Sequence, residues 1–320
     1  MFKFVPILKS VIWGGDRIVS YKHIETELQH VGESWEISGV DNNLSVVSEG
    51  PCKGLTIADL MVQYRDRLVG RDNYARYGNR FPLLVKFIDA RRDLSIQVHP
   101  NDALASQRHG TYGKDEMWYV VDALPDAHLC SGFSAPLDPE DYDRVVADGT
   151  IMDVLHYDKV KAGDVFYLPA GRVHSLGAGS FVVEVQQTSD ITYRIYDYNR
   201  RDKNGKLREL HVEMAKDAID YTILPDYRSR YAHRLNEPVQ LVNSSKFVVS
   251  LYELTEPMEC DYSELDSFVI YICIEGGALL VDSEGQKTRL STGETVLVPA
   301  LSDTISILPE SKVKLLEVFV

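Results

Sequence analysis

Gly163-Asp164-Val165-Phe166-Tyr167-Leu168-Pro169-Ala170-Gly171-Arg172-Val173-His174 is the stretch on which the fold turns. It reads as a tight turn, a short apolar strand and a proline-led turn into the next strand. An echo stands at Gly293-Glu294-Thr295-Val296-Leu297-Val298-Pro299-Ala300-Leu301-Ser302-Asp303-Thr304. Both copies read G-[DE]-x-x-x-x-P-A, but Gly171 has become Leu301 and His174 has become Thr304. A repeated supersecondary unit of this kind predicts two related β units, of which only the first keeps an imidazole.

Working outward, most of the chain divides into short β segments bounded by Gly, Pro, Asn and Asp. Phe81–Ile88, Leu94–His99, Glu116–Val121, Val165–Leu168 and Ser180–Gln186 are the clearest. This spacing predicts a mainly β protein of sandwich or barrel type. Three stretches carry helical signals. Thr56-x-x-Asp59 caps a run with Leu60, Met61, Tyr64 and Leu68 at helical spacing, closed by Gly70. Asp138-Pro139 opens a second run, with Tyr142, Val145 and Val146 on one side and Gly149 as its stop. The third spans Leu210 to Ile219. A boundary is expected where Pro225 and a charged stretch interrupt the β pattern, giving an N-terminal unit of residues 1–224 and a C-terminal unit of residues 225–320.

Composition narrows the function classes. The 320 residues are 44% hydrophobic and 26% charged, ordinary values for a globular chain able to bury a sizeable core. A net charge of −14 argues against recognising a nucleic-acid or membrane phosphate backbone. The apolar runs fall far short of a membrane span, and no signal peptide is read at Met1–Lys9. Cys52, Cys130, Cys260 and Cys273 are scattered, without a C-x-x-C pair, and read as reduced thiols. The expected location is the cytoplasm.

Chemistry concentrates in the first unit. Gln97 and His99 lie two apart on a predicted strand, so their side chains share a face. Glu116 begins the next strong strand, and His174 closes the proline-led turn. Two imidazoles, a carboxylate and an amide oxygen without any thiolate suit a borderline divalent ion, zinc first, with a position left open for chemistry. Lys114 stands two before Glu116 and thus on the same side. Lys86 sits in an otherwise apolar strand, where an unpaired ammonium is costly.

Four ordered segments then resemble one family. Gly163–His174 is similar to the second motif of cupins. Gln97-Val98-His99-Pro100-Asn101-Asp102, followed by Gly113-Lys114-Asp115-Glu116-Met117-Trp118-Tyr119, resembles the metal-binding segments of type I mannose-6-phosphate isomerases, in their short bacterial form. Gln186–Tyr198 resembles that family's distal active-site signature, and Gly32-Glu33-Ser34-Trp35-Glu36-Ile37-Ser38 its N-terminal one. Departures are few. Ala178 replaces an asparagine common downstream of the cupin histidine, and Asp138–Leu155 stands for a longer helical insertion.

The resemblance implies two cupin (jelly-roll) barrels with a few packing helices, the second lacking metal ligands. It implies one zinc per chain, held by Gln97, His99, Glu116 and His174, and interconversion of mannose 6-phosphate and fructose 6-phosphate through an enediolate. Arg194 becomes the cation for the enediolate or the phosphate, a role that suits a permanently charged planar fork. Lys114, Asp190 and Glu184 join it as catalytic candidates, and Lys86, Ser34 and Trp35 as substrate contacts, with Glu33 beside them shaping the pocket. The expected partner is a small phosphosugar, with no nucleic acid and no membrane. The expected state is a monomer, a weak dimer being the alternative. Two other classes compete: an iron-dependent cupin dioxygenase and a non-enzymatic sugar-binding cupin. Gln97 in place of a third histidine, and the cations Lys86, Lys114 and Arg194, weigh against the dioxygenase.

Overall fold

In the computed structural model, which describes residues 1–201 and 205–320, the chain is mainly β and cupin-like, built from antiparallel sheets of nine, six and five strands. The six-stranded sheet runs in the order Val165–Leu168, Glu116–Ala123, Ser180–Gln187, Leu83–Asp89, Val31–Ser38 and Ile7–Ser10. The five-stranded sheet runs Tyr193–Tyr196, Ile96–Val98, His174–Leu176, His128–Phe133 and Leu155–Lys159. The strands between Pro238 and Phe319 build the nine-stranded sheet together with two strands from the start of the chain. Of these, Phe2–Val5 pairs with both Thr295–Val298 and Val46–Val47.

Apolar residues explain how the sheets meet. Leu83, Val85 and Phe87 point into one continuous core with Phe247, Val249, Phe268 and Ile270 of the C-terminal strands. Phe81 and Phe268 touch with ring centroids 4.8 Å apart. Burying such side chains contributes roughly 1.5–3 kcal/mol each, so this shared core joins the sheets firmly.

The repeated motif occupies matching register positions. Leu168, just before Pro169, pairs with Glu116. Val298, just before Pro299, pairs with Val269. One neighbour further, Glu184 lies opposite both Trp118 and Lys86, while Glu317 lies opposite both Tyr271 and Ser250. At the start of the following strands, His174 pairs with Gln97 and Thr304 with Asp261.

The first expected helix differs in detail. Its start has the predicted capping box, with the Thr56 hydroxyl accepting from the Asp59 amide and the Asp59 carboxylate accepting from the Thr56 amide. It stops at Tyr64, Arg65 turns to φ +53°, and Asp66–Val69 forms a separate turn. Packing overrides helix propensity here. The carbonyls of Leu68 and Arg67 accept from Ala300 and Leu301 of the C-terminal strands instead of from a continuing helix. Gly70, at φ +92°, passes so close to Asp266 that a Cβ would lie 2.0 Å from its carbonyl oxygen. The Asp138 helix forms over Pro139–Ala147 and the third over Val212–Ala218. A further helix, Asp102–His109, has only Ala105 buried and so leaves no apolar stripe to read.

Candidate metal centre and active site

The five-stranded sheet places Arg194, Gln97 and His174 in one row across adjacent strands. The six-stranded sheet places Glu116 at the head of its strand, next to Leu168 and Gln186. These two rows converge. His99, Glu116 and His174 offer ligand atoms that all lie within 4.8 Å of one another, and all three residues are buried. Glu116 Oε1 stands 2.9 Å from His174 Nε2, and Glu116 Oε2 stands 3.3 Å from His99 Nε2. The turn that carries His174 is fixed from behind, because Gly171 donates its amide to the His99 carbonyl.

The hydrogen bonds around the imidazoles fix which nitrogen faces inward. His99 Nδ1 donates to the Ile191 carbonyl and His174 Nδ1 to the Arg172 carbonyl, both at 2.8 Å. Each Nε2 therefore presents a lone pair to the carboxylate, the tautomer a metal ligand needs. Gln97 stands beside the group, its amide nitrogen 3.2 Å from His174 Nε2 and its oxygen accepting from the Ser95 hydroxyl. Glu116 Oε1 is buried and has no hydrogen-bond donor. Lone pairs facing an undonated carboxylate oxygen in a dry site repel one another unless a cation lies among them. The donor set thus fits a divalent ion.

Charge at the site is set by burial against neighbouring cations. Burial alone would raise the Glu116 carboxyl, but Lys114, then His174 and His99, outweigh it and hold it well below the usual range. Lys114 Nζ lies 2.5 Å from Glu116 Oε2 and 3.1 Å from His99 Nε2. Burial and then Lys114 depress His99 to about 4, which keeps its ring neutral at pH 7. A second buried pair lies beside the first. Lys86 Nζ donates to Glu184 at 2.9 Å, and Trp118 Nε1 donates to its other oxygen at 2.8 Å. Burial pulls the Lys86 ammonium down, but Glu184 and Glu33 push it further up, to about 12. The same partnership lowers Glu184 against the opposing effect of burial.

A cavity of about 180 Å³ opens over these groups, and Glu33, Lys86, Gln97, Lys114, Glu184 and Arg194 all line it. The cavity of about 540 Å³ beside Tyr21 and Tyr119 is lined by none of these residues. Arg194 is half-buried, with its Nε 3.3 Å from the Ser95 hydroxyl and an Nη on the Glu209 carbonyl. Across the mouth stands Arg208, tied to Asp197 at 3.2 Å. The sequence reading passed over Arg208, since a lone arginine in a charged stretch carries no pattern.

Three other expected residues sit differently. Asp190 is exposed in a loop and lines no part of the cavity. Its neighbour Ile191 contributes through the backbone carbonyl that holds His99. Ser34 points to the opposite face of its strand, where it donates to Glu36 at 2.6 Å; the alternation of a β-strand puts Glu33, not Ser34, over the cavity. Trp35 lies behind the lining, its ring 5.1 Å from the Lys86 ammonium and its Nε1 donating to Glu33 at 2.6 Å.

Comparison with known proteins agrees with this geometry. Residues 1–124 match the family model described as phosphomannose isomerase type I, catalytic domain. The chain is 35% identical over 284 residues to mannose-6-phosphate isomerase ManA of Bacillus subtilis, covering 88% of this chain and 87% of that one. It is 39% identical over 208 residues to the mannose-6-phosphate isomerase of Streptococcus mutans, covering 65% and 64%. Among solved structures, the mannose 6-phosphate isomerase from Bacillus subtilis superposes with a TM-score of 0.89 at 31% identity, covering 100% of this chain and 99% of that one. A single-site variant of the phosphomannose isomerase of Salmonella typhimurium shares the fold at 16% identity, with a TM-score of 0.81. On this sequence and structural agreement, the chain belongs to the type I phosphomannose isomerase family.

Proposed function

We propose that this chain interconverts mannose 6-phosphate and fructose 6-phosphate, with zinc held by His99, Glu116, His174 and Gln97. The observation that carries the reading is the convergence of two inward-facing Nε2 atoms on a carboxylate oxygen without a donor, beside a cavity rimmed by cations. When bound, the ion would supply Lewis-acid stabilisation to the sugar oxygens.

The remaining work falls to the chain's own residues. Moving a proton between C2 and C1 needs a carboxylate within reach and cations where the oxyanion develops. Glu184 lines the cavity and is kept ionised by Lys86, the form that accepts a proton. Glu33 is the other carboxylate there, and Asp190 is withdrawn from this role because of its position. Lys114 lies against the ligand group, suited to an oxyanion at C1 or C2. Arg194, Ser95 and Arg208 form the far rim, suited to the phosphate, where a guanidinium can grip two oxygens at once. In this reading residues 1–224 carry the chemistry and residues 225–320 brace it, and the protein works as a cytoplasmic monomer. Among the described residues no helix is long and apolar enough to cross a membrane.

The test is direct. Protein stripped with a chelator should lose turnover of mannose 6-phosphate and regain it when zinc is added back. Full activity without metal would defeat the reading.

A further inference from the structure

We infer that Lys246, Asp102 and Gln187 form a bracket through which the C-terminal half positions Lys114 and Glu116, making Lys246 a positioning residue for the reaction proposed above. Lys246 lies between the strands Pro238–Asn243 and Val248–Leu254, outside the sheets that hold the site. Its ammonium donates to Asp102 Oδ2, a contact in which the lysine side chain is 16% exposed and the carboxylate 36%. The other oxygen, Oδ1, accepts from the Gly113 amide at 2.9 Å and from Gln187 Nε2 at 3.1 Å. Gln187 Oε1 in turn accepts from the Asp115 amide at 3.0 Å.

Two of the three amides just before Glu116 are thus gripped by side chains of this bracket. The third, Lys114, donates its amide to the Pro100 carbonyl. Gly113 must come this close: a Cβ there would lie 2.6 Å from both the Asn101 carbonyl carbon and the Asp102 nitrogen. The segment so fixed delivers the Lys114 ammonium to His99 and Glu116. It has no regular structure of its own to hold it, since the strand begins only at Glu116. Lys246 is the nearer of two cations at Asp102 Oδ2, Arg76 standing 3.7 Å from the same oxygen. Burial raises this carboxyl, yet Lys246, Gln187 and the Gly113 amide together hold it below its usual range. Nothing in the bracket touches the cavity, so its influence passes through geometry alone.

The full-length protein decides this with Lys246→Met, Lys246→Arg and Asp102→Asn. Turnover of mannose 6-phosphate in Lys246→Met should fall about tenfold in kcat with KM within about twofold, as expected for small displacement of a reacting group. Lys246→Arg should recover most of the loss, and Asp102→Asn combined with Lys246→Met should be no worse than Asp102→Asn alone. Independently of activity, amide hydrogen exchange at Gly113 and Asp115 should quicken in Lys246→Met by about tenfold, while the strands of the C-terminal sheet keep their protection. Unchanged exchange at those amides, or unchanged kcat in an active enzyme, overturns the bracket. If the unmodified protein failed to isomerise the sugar, the proposed reaction would fall, and the exchange measurement would still decide the bracket.

Discussion

Two buried glutamates occupy the same place in the two β layers and have opposite fates. Glu184 pairs in register with an aromatic residue, Trp118, on one side and Lys86 on the other. Glu317 pairs with Tyr271 and Ser250. Both lose hydration on folding. With Lys86 as partner, Glu184 is lowered. Among the described residues no cation pairs with Glu317; burial raises it, against the phenols of Tyr262 and Tyr252 that donate to it. A single neighbour, ammonium or hydroxyl, decides in which direction the buried carboxyl shifts. The ligand positions diverge in parallel: where the first region has Gln97, Glu116 and His174, the second has Asp261, Val269 and Thr304. One copy keeps ionic chemistry, and the other has turned the same frame into packing.

The largest expected effect comes from removing what the second region lacks. Glu116→Ala should lower kcat/KM for mannose 6-phosphate by about 10³-fold or more, together with loss of affinity for a divalent ion; the comparison breaks if the variant keeps its rate. Next, Lys86→Met would give Glu184 the surroundings of Glu317. Leaving one buried charge without its partner should cost about 3–5 kcal/mol of stability near pH 7 by denaturant unfolding. The sign follows from proton binding: a carboxyl raised in the folded state takes up protons on folding, so the variant should recover as the pH falls through that raised value. Pairing it with Glu184→Gln should recover much of the loss at all pH values.

Glu317→Gln probes the other copy with a smaller effect. The raised Glu317 carboxyl weakens the native state progressively as pH climbs above its ordinary value of 4.5. The amide has no such proton to lose, so its stability relative to the unmodified protein should improve from pH 4.5 upward. A flat difference across that range would show that Glu317 ionises without penalty. Smallest of all, Thr304→Ala, at the position matching His174, should leave kcat within about twofold and stability within roughly 0.5 kcal/mol.

The P-A turns were legible because proline, glycine and alternation each leave a mark in the sequence. So was the meeting of His99, Glu116 and His174, expected from the motifs that carry them and from the resemblance that joined those motifs into one site. What escaped was set by contacts far apart in the chain. Ser34 and Glu33 are adjacent, and only the register with Phe87 and Ile88 decides which one faces the cavity. Asp190 and Arg208 are both charged residues near the site, yet one is exposed in a loop and the other lines the cavity. The carbonyls of Arg67 and Leu68, where the Asp66–Val69 turn ends, are captured by Ala300 and Leu301, more than two hundred residues away.

The pairing of Phe2–Val5 with Thr295–Val298 imposes an order on biosynthesis. Lys3 reaches Glu294 across 291 positions of sequence, so this strand, which also pairs with Val46–Val47, leaves the ribosome long before its C-terminal partner exists. Its side facing Thr295–Val298 must wait while nearly all the intervening chain is translated, and closing so long a loop is slow. Nascent chains halted before Thr295 should therefore leave that side of Phe2–Val5 unpaired, and reach full protease resistance only once the last strands emerge and cover it.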